Sequence, residues 1–274
     1  MGAQRDLAER FRAMHLPGDP LLLPNAWDAA SARLLESLGF DAVATTSAGV
    51  AFVEGFPDGQ EIGRNAMLAG VTRVVRAVRV PVTADMEGGY GPTVADAVAT
   101  ALGVISSGAV GLNFEDATGV RGTLLDAERQ AERIAAIRKT GVEYGVPLVI
   151  NARTDVYLES VGEPGERFAE TVGRSALYRA AGADCIFVPG VTDAQTIGAL
   201  VRAIDAPVNV LAAAATPPLA ELRRLGVARI SLGSAPYRRA LTAFRDIALE
   251  ARDGGTFAGC DGILSHADVN ALMS

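Results

Sequence analysis

One device recurs along this chain and limits what it can fold into: a helical stretch closed by glycine, followed at once by a short apolar strand. It appears in "ESLGFDAVATT", "ISSGAVGLNFE", "RAAGADCIFVPG" and "RRLGVARISLGS". Glycine suits the junction because helices commonly end in a left-handed residue, a conformation without steric penalty for glycine. Extended to the whole chain, the beat gives strands near Leu21–Pro24, Ala42–Thr46, Val80–Ala84, Val110–Phe114, Leu148–Ala152, Cys185–Val188, Val208–Leu211 and Arg229–Leu232. Helical lengths fall between them, over Ala29–Leu38, Glu61–Val78, Val94–Ser106, Leu125–Lys139, Glu166–Ala180, Asp193–Ala203 and Leu219–Leu225. Asp28 and Asp193 stand where caps or first-turn acids belong.

Strands alternating with helices imply a parallel sheet, because parallel neighbours need a crossover connection. Eight such units in 274 residues, with no GxGxxG or GxxxxGK[ST] turn after an early strand, fit an α/β (β/α)8 TIM-type barrel better than a doubly wound sheet. No linker or low-complexity tract interrupts it, so residues 1–274 are expected to form a single domain, with the barrel over about residues 20–240. The tail from about residue 251, "RDGGTFAGCDGILSHADVNALMS", breaks the beat and is expected to be an appended helix or a subunit contact.

Composition excludes several classes. With 49% hydrophobic and 5% aromatic residues, a sizeable core of Ala, Val, Leu and Ile is available. A net charge of -7 argues against a nucleic-acid partner. No run of 18 apolar residues occurs and "MGAQRDLAERFRAMH" lacks an apolar signal core, so a cytoplasmic protein without a membrane partner is expected. Cys185 and Cys260 form no CxxC pair and read as ordinary thiols. His15 and His266 lie outside the barrel beat, which leaves no Ser-His-Asp triad or His-ligated zinc; both read as surface residues.

In a barrel of this type the active site lies at the C-terminal strand ends. Here those ends carry Asn25, Thr46, Ser47, Asp85, Glu87, Glu115, Asp116, Arg153, Asp155, Asn209 and Ser234. Residues two apart on a strand share a face, so Asp85 and Glu87 are expected to point together, as are Asn113 with Glu115 and Asn151 with Arg153. Any one acid could equally cap a helix or pair with a base. Crowded on adjacent strands, Asp85, Glu87 and Glu115 instead call for a hard cation, Mg2+ or Mn2+, since no imidazole is near. Asp116 and Asp155 read as supporting residues, Thr46 and Ser47 as donors or turn caps, and Arg153 as a site residue or a buried partner for the acids. Trp27, the only tryptophan, stands beside Asn25 as core or as a ligand wall.

The segments "LPNAWDAASARLLESLGFDAVATTSAGVA", "GFPDGQ", "TADMEGGYG", "NFED" and "NARTD", in that order over about residues 20–240, resemble the isocitrate lyase and phosphoenolpyruvate mutase superfamily. The resemblance implies a (β/α)8 barrel holding Mg2+ and an α-oxo or enol acid at its mouth. It puts Asp85 and Glu87 at the family's Asp-x-Asp pair, with Glu87 replacing the second Asp. Glu115 takes the place of its Glu in "ED" and Asp58 that of another metal-shell carboxylate, so Asp58, Asp85, Glu87 and Glu115 form the expected metal set. Thr46, Ser47 and Ala48 would present donors to a substrate carboxylate that Arg153 holds, with Trp27 and Asn209 completing the substrate-binding set. A C-terminal helix swapped between subunits of a homodimer or homotetramer is also implied.

The segment after "NFED" departs from the family. "EDATGVRGTLLDAERQAERI" is shorter than the lyases' mobile loop and holds no Cys, His or Lys before the helix. Arg121 is the one charged side chain between Asp116 and Asp126, so Glu115, Arg153 and Arg121 are the catalytic candidates, with a metal-bound water as a further acid or base. The expected activity is Mg2+-dependent carbon–carbon cleavage of a small α-oxo or 2-hydroxy acid through an enolate. The alternatives are a P–C bond enzyme acting on a phosphonopyruvate-type acid, or a weakly catalytic binder of oxaloacetate, pyruvate or 2-oxoglutarate.

Overall fold

The structure, a computed structural model, describes residues 2–274. Nine strands form one wholly parallel sheet: β1 (Leu21–Leu23), β2 (Asn25–Ala26), β3 (Val43–Thr45), β4 (Val82–Asp85), β5 (Gly111–Glu115), β6 (Val149–Arg153), β7 (Cys185–Phe187), β8 (Val208–Leu211) and β9 (Arg229–Ser231). The helices are α1 (Gly2–Ala13), α2 (Ala29–Ser37), α3 (Ser47–Val53), α4 (Arg64–Ala77), α5 (Val94–Ser107), α6 (Ala127–Glu143), α7 (Arg167–Ala180), α8 (Ala194–Ala203), α9 (Leu219–Leu225), α10 (Ala235–Leu249) and α11 (His266–Met273). The expected TIM-type barrel is therefore present, with its eight strands within a few residues of their anticipated places.

The ninth strand is the first one broken in two. Pro24 has no N–H to donate, and it separates β1, which pairs with β9, from β2, which pairs with β3. Asn25 staples this seam: its Oδ1 accepts from Leu232 N at 2.9 Å and Gly233 N at 2.8 Å, while Nδ2 donates to Thr45 O at 2.8 Å. One buried amide thus ties the chain after β9 to β3 and closes the barrel where the ladder is interrupted.

The glycine device behaves as the sequence suggests. Gly39, Gly108, Gly182 and Gly226 all take positive φ at helix ends. Asp28 caps α2 through Ser31 N, and Asp193 caps α8 through Thr196 N.

The barrel floor is sealed by α1, whose Phe11 is fully buried. A Cβ on Gly111 would lie 3.2 Å from Phe11 Cε1 and 2.6 Å from Val149 O, so glycine is what lets that ring approach β5. His15, expected at the surface, lies in this floor at 6% exposure, while His266 is exposed as anticipated. The His15 ring meets Phe11 edge-on at 4.9 Å and its Nδ1 is 2.9 Å from Phe11 O.

At the other end, α10 has no buried residue, and the chain passes through a π-helical turn to α11, which returns to α2 where Arg33 Nη1 donates to Leu272 O at 3.2 Å. No helix among the described residues is long and apolar enough to cross a membrane.

Burial, and then the charge of Arg229, lower the His15 pKa to about 4 from an ordinary 6.5. Between those values the unfolded chain binds the extra proton, so stability must fall as pH drops through that window, by up to about 1.4 kcal/mol per pH unit. Urea unfolding from pH 7 to pH 4 is expected to show this slope in the wild type and a flatter one in His15→Gln.

Candidate active site

The strand ends of β2 to β9 open into two adjoining cavities. The inner, of about 200 Å3, is walled by Thr46, Ser47, Ala48, Asp85, Asn113 and Ser234, with apolar Leu158, Phe187 and Leu211. The outer, of about 540 Å3, is lined by Glu87, Glu115, Asp155 and Glu159, with Arg121 on its loop. Ser47, Asp58, Arg153 and Leu158 face both.

Arg153, at the end of β6, is the ionic centre. Its Nε donates to Asp155 Oδ1 at 2.6 Å and its Nη1 lies 2.7 Å from Glu115 Oε2. That second pair is off-angle for a hydrogen bond, and Asp155 Oδ2 has no partner at all. Burial works against the guanidinium, but Glu115 and Asp155 outweigh it and hold the Arg153 pKa above its ordinary value. One guanidinium cannot neutralise two buried carboxylates, and burial accordingly raises the pKa of both Glu115 and Asp155 despite its pull.

Asp85, at the end of β4, makes no ion pair with Arg153, although its charge adds to those that raise the Arg153 pKa. Asp85 Oδ2 accepts from Ser47 N at 3.0 Å and Ser47 Oγ at 2.9 Å, and Oδ1 accepts from Asn113 Nδ2 at 3.3 Å. Its backbone N donates to Thr45 Oγ1 at 2.9 Å. Thr46 caps α3, as the turn reading expects.

Glu87 does not share a strand face with Asp85: β4 ends at Asp85, and Glu87 takes φ +48°. That left-handed turn puts Asp85 in the inner cavity and Glu87 in the outer. Burial, and then the charge of Asp85, raise the Glu87 pKa to about 7. Asp58 sits on an exposed loop, yet its carboxyl faces inward, where burial and then Asp85 raise its pKa.

Two arginines hold this left-handed loop. Arg133, fully buried on α6, donates through Nη2 to Gly88 O and, at 2.7 Å, to Gly91 O. Arg64 on α4 donates through Nη2 to Tyr90 O at 2.8 Å and Gly89 O at 3.2 Å. Tyr90, itself at φ +59°, donates its hydroxyl to Glu87 Oε1 at 2.9 Å, and its N–H donates to Gln60 Oε1 at 2.5 Å. The loops carrying Glu87 and Asp58 are thereby fastened together.

The strand ends thus gather Thr46, Ser47, Ala48, Asp58, Asp85, Glu87, Glu115 and Arg153 in one connected space, with Arg121 exposed on its outer loop. Two expectations change. Trp27 lies outside both linings and packs on Tyr237, ring centroids 5.4 Å apart. Asn209 is fully buried beneath the cavities, its Oδ1 accepting from Ser231 Oγ at 3.1 Å, because its strand position points it into the barrel rather than out of the mouth. Asp116 is the supporting residue anticipated, accepting from Asp155 N and Tyr178 Oη at 3.0 and 2.7 Å. Tyr90, Gln60, Arg64 and Arg133 escape a reading by strand ends, since two lie in loops and two on helices; only the first two fall inside quoted motifs.

The sequence profile of the family described as phosphoenolpyruvate phosphomutase matches residues 11–252. The chain belongs to that family. Its place within the wider isocitrate lyase and phosphoenolpyruvate mutase superfamily follows from the same match. A crystal structure from Burkholderia cenocepacia J2315, provisionally named a lyase/mutase, is 40% identical and superposes with TM-score 0.92, covering 100% of this chain and 98% of the other. Oxaloacetate decarboxylase 2 of Pseudomonas fluorescens is 28% identical over 253 residues, 88% of this chain and 83% of that one. A 2,3-dimethylmalate lyase structure is 27% identical with TM-score 0.85, covering 98% of this chain and 95% of its own.

Arg153→Met would leave Glu115 and Asp155 buried without a counter-charge, which is expected to cost about 3–5 kcal/mol in urea unfolding at neutral pH. Adding Asp155→Asn should recover part of the loss, since one of the two stranded charges is then gone.

Proposed function

We propose that this chain is a Mg2+-dependent lyase that breaks a carbon–carbon bond of a small α-oxo or 2-hydroxy acid through an enolate-type intermediate. The observation that carries the reading is the charge balance of the mouth. Arg153 is engaged by Glu115 and Asp155, and Asp58, Asp85 and Glu87 remain around the two adjoining cavities with no ion-pair partner among the described residues. A divalent cation fits this oxygen-only set. No three His, Cys, Asp or Glu side chains among the described residues already stand close enough to enclose a metal. That agrees with Mg2+, which keeps several waters and uses one or two carboxylates plus the substrate rather than a protein cage. Of Asp85, Glu87, Asp58 and Glu115, one or two would hold it directly and the others would hold its waters, with Mn2+ as the substitute. Once bound, the cation would supply Lewis-acid polarisation of the substrate oxygens.

The chain's own groups do the rest. Nε and Nη1 of Arg153 are taken by Asp155 and Glu115, which leaves Nη2 for a substrate carboxylate and for the negative charge that builds as the bond breaks. The small inner cavity, walled by Thr46, Ser47 and Ala48, restricts the fragment that becomes the enolate. In cleavage of a 2-hydroxy acid the hydroxyl gives its proton to a base and the C2–C3 bond breaks. The electron pair passes to the departing enolate, which then takes up a proton. Decarboxylation of an α-oxo diacid reaches the same kind of enolate with loss of carbon dioxide. Glu115, a buried carboxyl with raised proton affinity, is the proton carrier in the outer cavity. Arg121 approaches from the loop that the Ala117–Leu124 bridge and the 3.3 Å Gly122 N to Glu159 Oε2 bond hold over that cavity.

The relatives named as a decarboxylase and a lyase support carbon–carbon chemistry, while the phosphomutase name of the family keeps P–C bond cleavage as the alternative. The absence of Cys, His and Lys from Ala117–Leu125 favours a second reading, a binder of 2-oxo acids without turnover. The exposed apolar side chains of α10 and the tail, among them Phe244, Phe257 and Ile263, fit a subunit contact in a homodimer or homotetramer.

Incubation with small 2-oxo and 2-hydroxy acids, in Mg2+ and in EDTA, tests the function by mass spectrometry: one acid should disappear only with Mg2+ and give matched products. Mg2+-dependent binding heat without products would support the binder instead, and release of inorganic phosphorus from phosphonopyruvate would support P–C chemistry. Arg121→Ala should lower kcat at least tenfold; unchanged kcat and KM would remove that side chain from the site.

A further inference from the structure

Arg229 is a full positive charge in the middle of the barrel core. It lies on β9 with no exposed surface, and it makes no ion pair with any carboxylate among the described residues. Its Nη2 donates to Asn113 Oδ1 at 3.2 Å, Nη1 lies 3.5 Å from His15 Nε2, and Nε has no partner. A charge buried without a counter-ion costs stability, and an apolar side chain of similar size would fill the space at lower cost. Burial lowers its pKa to about 10, still well above neutrality, so the charge persists. What it does is visible one step up the barrel. Asn113 Oδ1 accepts from Arg229 and from Asn151 Nδ2, the latter at 2.8 Å, and Asn113 Nδ2 donates to Asp85 Oδ1. Turning that amide over would set an NH2 against the guanidinium and a carbonyl oxygen against the carboxylate. The fixed charge below therefore dictates that Asn113 presents a donor to Asp85 above, while Ser47 holds the other carboxylate oxygen.

We propose that Arg229 is a positioning residue for the site at the barrel mouth, acting through Asn113 to aim the Asp85 carboxylate. The inference rests on the reading of Asp85 as a Mg2+-holding residue. Arg229 touches neither cavity; its hydrogen-bonded route to Asp85 is the Asn113 amide, and Arg229→Lys leaves in place the charge that Asp85 feels through space. Groups that orient a metal-holding carboxylate from behind typically contribute 10–100-fold in metal affinity.

The test is a double-mutant cycle read by calorimetric titration with Mg2+ alone. Arg229→Lys keeps the charge at nearly the same depth but loses the guanidinium fork, and Asn113→Leu removes the relay. Each is expected to weaken Mg2+ binding about tenfold, and the double variant no more than Asn113→Leu alone, since both act along one path. A purely structural role for Arg229 would instead lower the melting temperature and leave the affinity of the folded protein intact. Affinity of Arg229→Lys within twofold of wild type, or losses that simply add, would overturn the proposal. Should Arg229→Lys fail to fold, Asn113→Leu carries the test by the same twofold criterion. Asp85→Asn separates the two readings: if it alone loses Mg2+, the positioning role falls and the site stands; if it binds as wild type does, the site reading itself falls.

Discussion

Everything at the mouth of this barrel is arranged around one buried guanidinium that has too many carboxylates to serve. Arg153 touches Glu115 and Asp155, and both of those acids still hold their protons more tightly than an ordinary carboxyl. Asp58, Asp85 and Glu87 have no ion-pair partner among the described residues, and burial followed by the charge of Asp85 moves the pKa values of Asp58 and Glu87 upward. Leaving such a cluster uncompensated is unfavourable in a low-dielectric cleft, and on the function proposed above that shortage is what a divalent cation would relieve. The cation would bind less well to a mouth whose charges were already balanced.

The scaffold spends its other buried charges on holding that arrangement still. Asn25 closes the seam that Pro24 opens, and so fixes β3 and the start of α3 against the end of β9. Arg64 and Arg133 take the carbonyls of the left-handed loop after β4, where Glu87 and Tyr90 occupy backbone conformations that non-glycine residues rarely adopt. Strain of that kind persists only where surrounding contacts over-determine it, and here two guanidiniums and the Gln60 amide do so. Rigid strands, a stapled seam and a clamped loop together fix the carboxylates.

Much of this was legible in the sequence because it follows local rules. Glycine punctuation and apolar runs marked eight strands, and in a barrel the strand ends name the mouth, so Asp85, Glu115 and Arg153 could be picked out by position. What the sequence hid are features that depend on three dimensions. The break at Pro24 looked like one strand. Glu87 was expected to share a face with Asp85, but the strand stops first and the backbone turns left-handed. His15 sits where a surface helix would put a polar residue, yet the helix plugs the barrel floor. Asn209 read as a mouth residue and Arg229 as an ordinary strand residue, because period-two alternation cannot distinguish a side chain aimed at the mouth from one buried beneath it. Asp58 entered the metal set only through resemblance, because it lies on a loop rather than at a strand end.

The central claim is that the mouth lacks one divalent cation's worth of positive charge, and a direct count of bound Mg2+ tests it. Titration calorimetry at neutral pH should find one Mg2+ per chain in the wild type, with Glu87→Gln and Asp58→Asn each binding more weakly while unfolding remains cooperative. Absence of Mg2+ binding in the folded wild type, or equal affinity in all three proteins, would contradict the account.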